Sequence, residues 1–223
     1  ESTADLGFSL IMSSARRIAE LDAWTKAGNW KATVAPAHFG SDVHGKTLGI
    51  VGLGNIGAAV ARRGRFGFNM PILYSGNSRK AELEQELGAR YVSLEQLLAE
   101  ADFVCLVVPL SAHTKHLIGA EQLKQMKRSA FLINISRGPV VDEAALVEAL
   151  QNGTIRGAGL DVYEKEPLSE SPLFALSNAV TLPHIGSATA ETREAMANRA
   201  IDNLRAALLG ERPRDLVNPQ VWK

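Results

Sequence analysis

The sequence encodes an open α/β fold: a doubly wound parallel sheet with helices on both faces. Three observations carry this reading. Apolar runs of strand length alternate with amphipathic helical stretches between residues 46 and 209. The runs are apolar throughout, as in DFVCLVV (102–108) and AFLINIS (130–136), rather than alternating with polar residues. Strands of that texture are covered on both faces, which is the habit of parallel sheets. A glycine-rich turn, GLGNIG, joins the first strand to the helix after it.

Taken in order, Ser2 with Asp5 resembles a capping box. Behind it Leu6, Leu10, Ile11, Ile18 and Leu21 recur at helical spacing as far as Lys26-Ala27-Gly28. One long first helix is expected, then an irregular arm over 29–45 that holds Pro36 and Gly40. KTLGIVGLG reads as a strand entering the turn, followed by a helix over 55–67, a strand over 70–75 and a helix over 79–87. A short helix over 93–101 leads into the apolar strand 102–108. GAEQLKQM is helical, and 130–136 is the next strand. DEAALVEALQNG (142–153) is a helix stopped by Asn152-Gly153. GAGLDV and AVTLPH are short strands, and the last helix, 189–209, sets Met196, Ala200, Ile201, Leu204 and Leu208 on one face. There is no internal repeat and no low-complexity segment.

Composition narrows the function classes. Lys+Arg and Asp+Glu are both 24, which leaves no basic field for a nucleic acid and no acidic tail. No run of about 18 apolar residues occurs, so no membrane span is expected. The single cysteine, Cys105, rules out a disulfide framework and fits a reducing compartment, so a cytoplasmic location is expected. The N-terminus lacks the basic-then-apolar plan of a signal peptide. It also lacks Met and opens inside a helix, which reads as an interior start. No metal site is expected.

In GLGNIG, Gly52, Gly54 and Gly57 have the G-x-G-x-x-G spacing. The first permits a tight turn, the second lets backbone approach a pyrophosphate, and the third lets the helix pack on its strand. The helix N-terminus offers free N–H groups to phosphate. The turn follows a strand and opens a helix, the setting a dinucleotide-binding turn requires. NAD-binding versions place an Asp or Glu at the end of the next strand to take the ribose hydroxyls. Ser75 stands there, followed by Gly76, Asn77, Ser78, Arg79 and Lys80. A carboxylate would repel a 2′-phosphate, whereas Ser and Asn donate to one and Arg grips it with two parallel bonds. The missing acid therefore points to NADP, with NADPH preferred over NADH. The plainer alternative is a solvated start to the helix RKAELEQEL.

Three further stretches sit at C-terminal strand ends, where open α/β sheets bind ligands: NISRGPVVD, GLDVYEKEP and LPHIGSAT. With these motifs in this order, the chain resembles the D-isomer-specific 2-hydroxyacid dehydrogenases over essentially its whole length. LYSGNSRK, INISRGPVVDE and LPHIGSAT resemble the family's glyoxylate/hydroxypyruvate reductase and 2-ketogluconate reductase branch. The resemblance implies a catalytic trio. Arg137 would pair with the substrate carboxylate and polarise the ketone, a task that suits its rigid fork of donors. His184 would be the acid/base, since imidazole titrates near neutrality. Glu166 would orient His184. Glu164 stands two residues away, and on the residues alone the choice between them is open; the family pattern favours the carboxylate directly before Pro167. His38, His44, His113 and His116 read as structural or exposed.

The same resemblance places Asp161 on the nicotinamide carboxamide. It puts Val108, Pro109 and Thr114 around the adenosine ribose, and Asn55 and Ile56 at the pyrophosphate. Ile135, Ser136 and Gly186 fall on the nicotinamide side, and Ser187 beside the substrate. It implies an interdomain helix and dimerisation arm over 1–45, with Trp24, Trp30 and Phe39 embracing a second subunit, although those aromatics could also pack within one chain. A Rossmann-type NAD(P)-binding domain follows over 46–185, and a C-terminal helix over 186–223 returns toward a substrate domain. Family chains carry a substrate-domain segment ahead of this first helix. Without it, cofactor binding without efficient turnover is expected. The implied activity is NADP(H)-dependent reduction of short 2-oxo acids: glyoxylate, hydroxypyruvate or 2-ketogluconate. Rival readings are a phosphoglycerate dehydrogenase-like NAD enzyme, which would keep an acid at Ser75, and a non-catalytic NAD(H)-sensing corepressor. A formate dehydrogenase would pair its His with Gln.

Overall fold

A computed structural model describes residues 1–222. Two helices, not one, open the chain: α1 (Ser2–Arg16) and α2 (Ile18–Lys26). Arg17 separates them in the left-handed region (φ 55°, ψ 37°), with its N–H capping α1 on Ser13 and Ser14 carbonyls. Such a conformation costs an L-residue about 1 kcal/mol. Arg17 is held there by a fork onto Glu20, at 2.7 and 2.6 Å, and by a bond to the Ala37 carbonyl. The apolar spacing from Leu6 to Leu21 does not reveal this break, and α2 buries no residue. The expected capping box is absent. Glu1 occupies the cap position without a side-chain bond, and the Asp5 carboxylate instead accepts from Arg63 Nε at 2.8 Å.

The remaining elements are β1 (Leu48–Val51), α3 (Asn55–Arg62), β2 (Ile72–Ser75), α4 (Ala81–Leu87), β3 (Arg90–Tyr91), α5 (Leu94–Glu100) and β4 (Phe103–Leu106). They continue as α6 (Ala120–Gln125), β5 (Phe131–Asn134), α7 (Glu143–Gln151), β6 (Gly157–Leu160), β7 (Ala179–Thr181) and α8 (Ala190–Leu208). The helix expected over 55–67 is α-helical only to Arg62 and finishes as a π-turn over Arg63–Gly67. The two-residue β3 was not anticipated; it is an exposed edge too short to show a period.

All seven strands are parallel, in the order β3-β2-β1-β4-β5-β6-β7. In register, Ile50 faces Tyr74 on one side and Cys105 on the other, and Cys105 faces Ile133. The order reverses between β1 and β4, and ligands of open α/β sheets bind in the crevice beyond that point. On one face, Val104 and Leu132 of the sheet share a core with Leu97 and Leu98 of α5, Leu123 of α6 and Leu146 of α7. The other packs Ile50, Tyr74 and Ile133 against Leu10, Ile11 and Val60 of α1 and α3. Cys105 is fully buried, and desolvation pushes its thiol up to about 12, so it is packing rather than chemistry.

Two compact units result, one built from Thr3–Gly186 and one from Ser187 onward. In the second, Asp215 accepts from Arg199 and from Asn203 Nδ2 (2.7 Å), folding the tail back on α8. No helix among the described residues is long and apolar enough to cross a membrane, and no His/Cys/Asp/Glu group there could hold a metal.

Candidate active site

His184 follows β7 with φ 53°, a left-handed conformation that turns the chain sharply at the end of the sheet. Its Nδ1 lies 2.7 Å from Glu166 Oε2. The other carboxylate oxygen, Oε1, accepts from the Tyr163 N–H at 2.9 Å. Burial works to raise the Glu166 pKa, but the bonds from His184 and Tyr163, with the charges of His184 and Arg137, outweigh it. The carboxyl is thus held below its ordinary value, and Arg137 is close enough to act on it. A cleft of about 450 Å³ opens beside the pair, walled by Tyr163, Leu168, Phe174, Leu182 and Pro183.

Glu164 is excluded as the partner of His184. Its Oε1 is 2.7 Å from His116 Nε2 and also accepts from the Glu143 N–H at 3.3 Å, while its own N–H donates to Glu143 Oε2 at 3.1 Å.

Arg137 is exposed at the turn after β5, with Nη1 donating to the Ser136 carbonyl at 2.7 Å. A residue missed in the sequence, Asn134, builds that turn. Buried at 1% exposure, it donates to the Arg137 carbonyl and accepts from both the N–H and the hydroxyl of Ser136. A lone Asn closing the apolar run AFLIN was the available signal. Next, Gly138 lies hard against the Tyr163-Glu164 backbone: a Cβ there would sit 1.8 Å from the Tyr163 carbonyl carbon. The loop bearing Arg137 and the loop bearing Glu166 are therefore in direct contact.

Asp161 is 2% exposed, and burial raises its pKa against the bonds it accepts. Those come from the Ile185 N–H (2.7 Å) and the Gly186 N–H (2.8 Å), so this carboxylate fixes the turn that carries His184.

The glycine turn fits a dinucleotide. Gly52 has φ 98°, and a Cβ on it would meet the Val107 carbonyl at 2.9 Å. A Cβ on Gly57 would lie 2.3 Å from the Gly52 carbonyl oxygen. At Gly54, which caps α3 with no side chain of its own, a Cβ would meet nothing within 4 Å. The space beyond the α3 N–H groups is open, with exposed Asn55 and Ile56 at its edge.

Comparison with known proteins agrees. The family model for the D-isomer specific 2-hydroxyacid dehydrogenase NAD binding domain matches residues 8–186. The chain belongs to that family. It is 57% identical to a glyoxylate/hydroxypyruvate reductase B of Escherichia fergusonii, over all of this chain and 69% of that protein. The crystal structure of a Thermus thermophilus protein superposes with a TM-score of 0.91 at 47% identity, over 97% of this chain and 68% of that one. An NADPH-dependent glyoxylate/hydroxypyruvate reductase from Sinorhizobium meliloti, solved with NADP and malonate, gives 0.84 at 37%, over 93% and 64%.

In this dehydrogenase the other sequence-derived positions distribute as follows. Ser75 closes β2, and Asn77, Ser78, Arg79 and Lys80 are exposed on the loop after it. Arg79 is not free: it forks onto Glu84, with Nη2 at 2.6 Å. Val108 packs over Gly52, and Pro109 accepts from the Thr114 hydroxyl at 2.6 Å, so these three form one small loop at the end of β4. The Ile135 side chain packs into the core toward Gly7 of α1, and the Ser136 hydroxyl donates to Asn134 Oδ1 at 2.7 Å. Ser187 opens the second unit. Of the arm aromatics, Trp24 packs on His38 within the chain, while Trp30 and Phe39 are 64% and 56% exposed.

Proposed function

We propose that this family member is an NADPH-preferring reductase of short 2-oxo acids, glyoxylate and hydroxypyruvate foremost, with 2-ketogluconate a further candidate. The observation that carries the reading is the Glu166–His184 pair, set with Arg137 at the C-terminal edge of the sheet. With Nδ1–H donated to Glu166, Nε2 is the nitrogen left to hold a proton toward the substrate. Glu166 fixes the ring so that Nε2 faces the ketone oxygen and delivers its proton there. Arg137 forks onto the substrate carboxylate and orients the carbonyl. A bound reduced nicotinamide supplies the hydride. The chain's part is to seat that group on the α3 N-terminus, with Asp161 fixing the nearby turn, to hold the proton on Nε2 and to fix the carboxylate.

Ser75, Asn77, Ser78 and Arg79 in place of an acid support the NADPH preference, as does the name of the S. meliloti enzyme. The exposed Trp30 and Phe39 support, within the interdomain helix and dimerisation arm over 1–45, an arm over 29–45 that embraces a second copy, and residues 186–223 we assign to a return toward a substrate domain. The chain spans 69% of the E. fergusonii relative. A cytoplasmic location completes the reading.

Full-length protein assayed against a panel of 2-oxo acids with each cofactor tests it. Turnover of hydroxypyruvate or glyoxylate with higher kcat/KM for NADPH is expected, and Arg79→Ala should weaken NADPH. Preference for NADH, or no turnover of any 2-oxo acid, would end the reading.

A further inference from the structure

The loop after β2 is built around two tyrosines and one carboxylate. Tyr74 is buried, and its hydroxyl accepts from the Lys80 N–H at 2.8 Å while donating to Glu84. The Tyr91 ring lies 5.2 Å from that of Tyr74, and its hydroxyl donates to the Gly76 carbonyl at 2.8 Å. These bonds fix the path of residues 76–80. Glu84, 17% exposed, sits under this path. It takes Arg79 Nε at 3.1 Å on Oε1 and Arg79 Nη2 at 2.6 Å on Oε2, while the Arg79 side chain is 69% exposed.

The two ends of this ion pair are held differently. Arg79 rests on Glu84 alone among its hydrogen-bond partners, and can swing outward. Glu84 keeps the Tyr74 hydroxyl whatever Arg79 does, so its negative charge stays beneath the loop. A guanidinium has five N–H groups, so Arg79 can meet an incoming phosphate either by leaving Glu84 or by bridging to it. In both cases a fixed carboxylate remains within a few ångströms of the arriving dianion, and like charges that close repel. A cofactor with a plain ribose hydroxyl does not feel this repulsion comparably.

We propose that Glu84 is a specificity-determining residue: a resident counter-ion of Arg79 that holds the affinity for a 2′-phosphorylated cofactor below what the loop would otherwise reach. The inference rests on the reading that this loop receives the 2′-phosphate. It adds that the loop carries its own brake. The sequence element RKAELEQEL, with Glu84 five residues after Arg79, therefore sets the strength of the discrimination as well as starting a helix.

Fluorescence titration of NADPH and NADH into full-length wild type, Glu84→Gln, Glu82→Gln and Arg79→Ala, and into the Arg79→Ala/Glu84→Gln double variant, tests the proposal. Gln retains an acceptor for the Tyr74 hydroxyl, so the loop path is preserved, and a melting curve checks the fold. Removing one partly exposed charge should tighten NADPH about fivefold and change NADH less than about twofold. Glu82, exposed on the same helix and not bonded to Arg79, should do neither. In the Arg79→Ala background the repulsive part of the gain alone should persist, smaller than in wild type. An unchanged or lowered NADPH-to-NADH affinity ratio in Glu84→Gln overturns the proposal, the lowered ratio meaning that Glu84 aims the guanidinium. An equal effect from Glu82→Gln also overturns it. The cofactor reading fails separately, by a wild type that favours NADH together with an inert Arg79→Ala.

Discussion

Two histidine–carboxylate pairs lean on one short loop after β6. Glu164 meets His116 and Glu166 meets His184, both at 2.7 Å, and both histidines have positive φ, 50° and 53°. Exposure does not separate them either: the side chains are 42% and 37% exposed in the first pair, 47% and 32% in the second. What differs is the set of remaining bonds. Glu164 and Glu143 exchange bonds between side chain and main chain at the start of α7, and the His116 N–H donates to the Pro139 carbonyl at 2.8 Å. That pair ties three loops together. Glu166 takes one further bond, from its own loop, and its histidine edges the apolar cleft beneath β7. The pair distance therefore carries no information about role. The second partner of each group does.

The largest expected break in this symmetry is His184→Ala. If His184 is the proton donor proposed above, its loss should lower kcat by about 10²–10⁴-fold with NADPH affinity retained. His116→Ala, the same deletion in the other pair, should lower kcat less than about tenfold, because it loosens a strut rather than removing a reactant. Steady-state rates with glyoxylate in the full-length protein check both. Equal losses would mean that the two pairs are not divided into chemistry and support.

Gly138→Ala strikes both pairs at once. An added methyl cannot coexist with the Tyr163 carbonyl carbon 1.8 Å away, so the Arg137 turn and the Tyr163–Glu166 segment must separate. A loss of about 10–100-fold in kcat/KM is expected, with cofactor affinity little changed because the glycine turn lies on other loops. A crystal structure of the variant should show Glu166 displaced from His184.

How much of this was legible beforehand depended on range. The parallel sheet covered on both faces and the glycine turn follow from local texture: apolar strands, and glycines at 52, 54 and 57. The choice between Glu164 and Glu166 was open on the residues alone, since both are acids on the same loop and their partners lie 48 and 18 residues away. Only the place of Glu166 before Pro167, seen through the family pattern, favoured the carboxylate that the structure sets against His184 Nδ1. Asp161 read as a cofactor ligand, and its bonds to the turn of His184 appear only in three dimensions. Asn134 showed in the sequence only as a lone polar residue closing an apolar run; its bonds to Ser136 and Arg137 follow from burial at the end of β5. The Arg17 break escaped because apolar spacing reports burial and α2 buries nothing.

Glu166→Gln separates orientation from charge. Gln still accepts from the Tyr163 N–H but brings no negative charge to His184 Nδ1, so kcat with glyoxylate should fall about 10–100-fold in steady-state assays while the Tyr163 contact is kept.

The smallest effect is on stability against acid, and it distinguishes two carboxylates around the same histidine. Glu166 is held below its ordinary value of 4.5 in the folded protein, so its contribution is complete above that pH and is lost as pH falls through the folded pKa. Asp161 is raised by burial, so its contribution has the opposite sign: it is present at low pH and is lost as pH rises through the folded pKa. Melting temperatures between pH 3 and 6 should therefore fall less steeply toward acid in Glu166→Gln than in wild type. Asp161→Asn should fall more steeply, from a lower starting point, because one amide oxygen cannot serve both Ile185 and Gly186 as well as two carboxylate oxygens do. Parallel slopes in all three proteins would show that neither group is shifted, and that the Glu166–His184 bond adds geometry without charge.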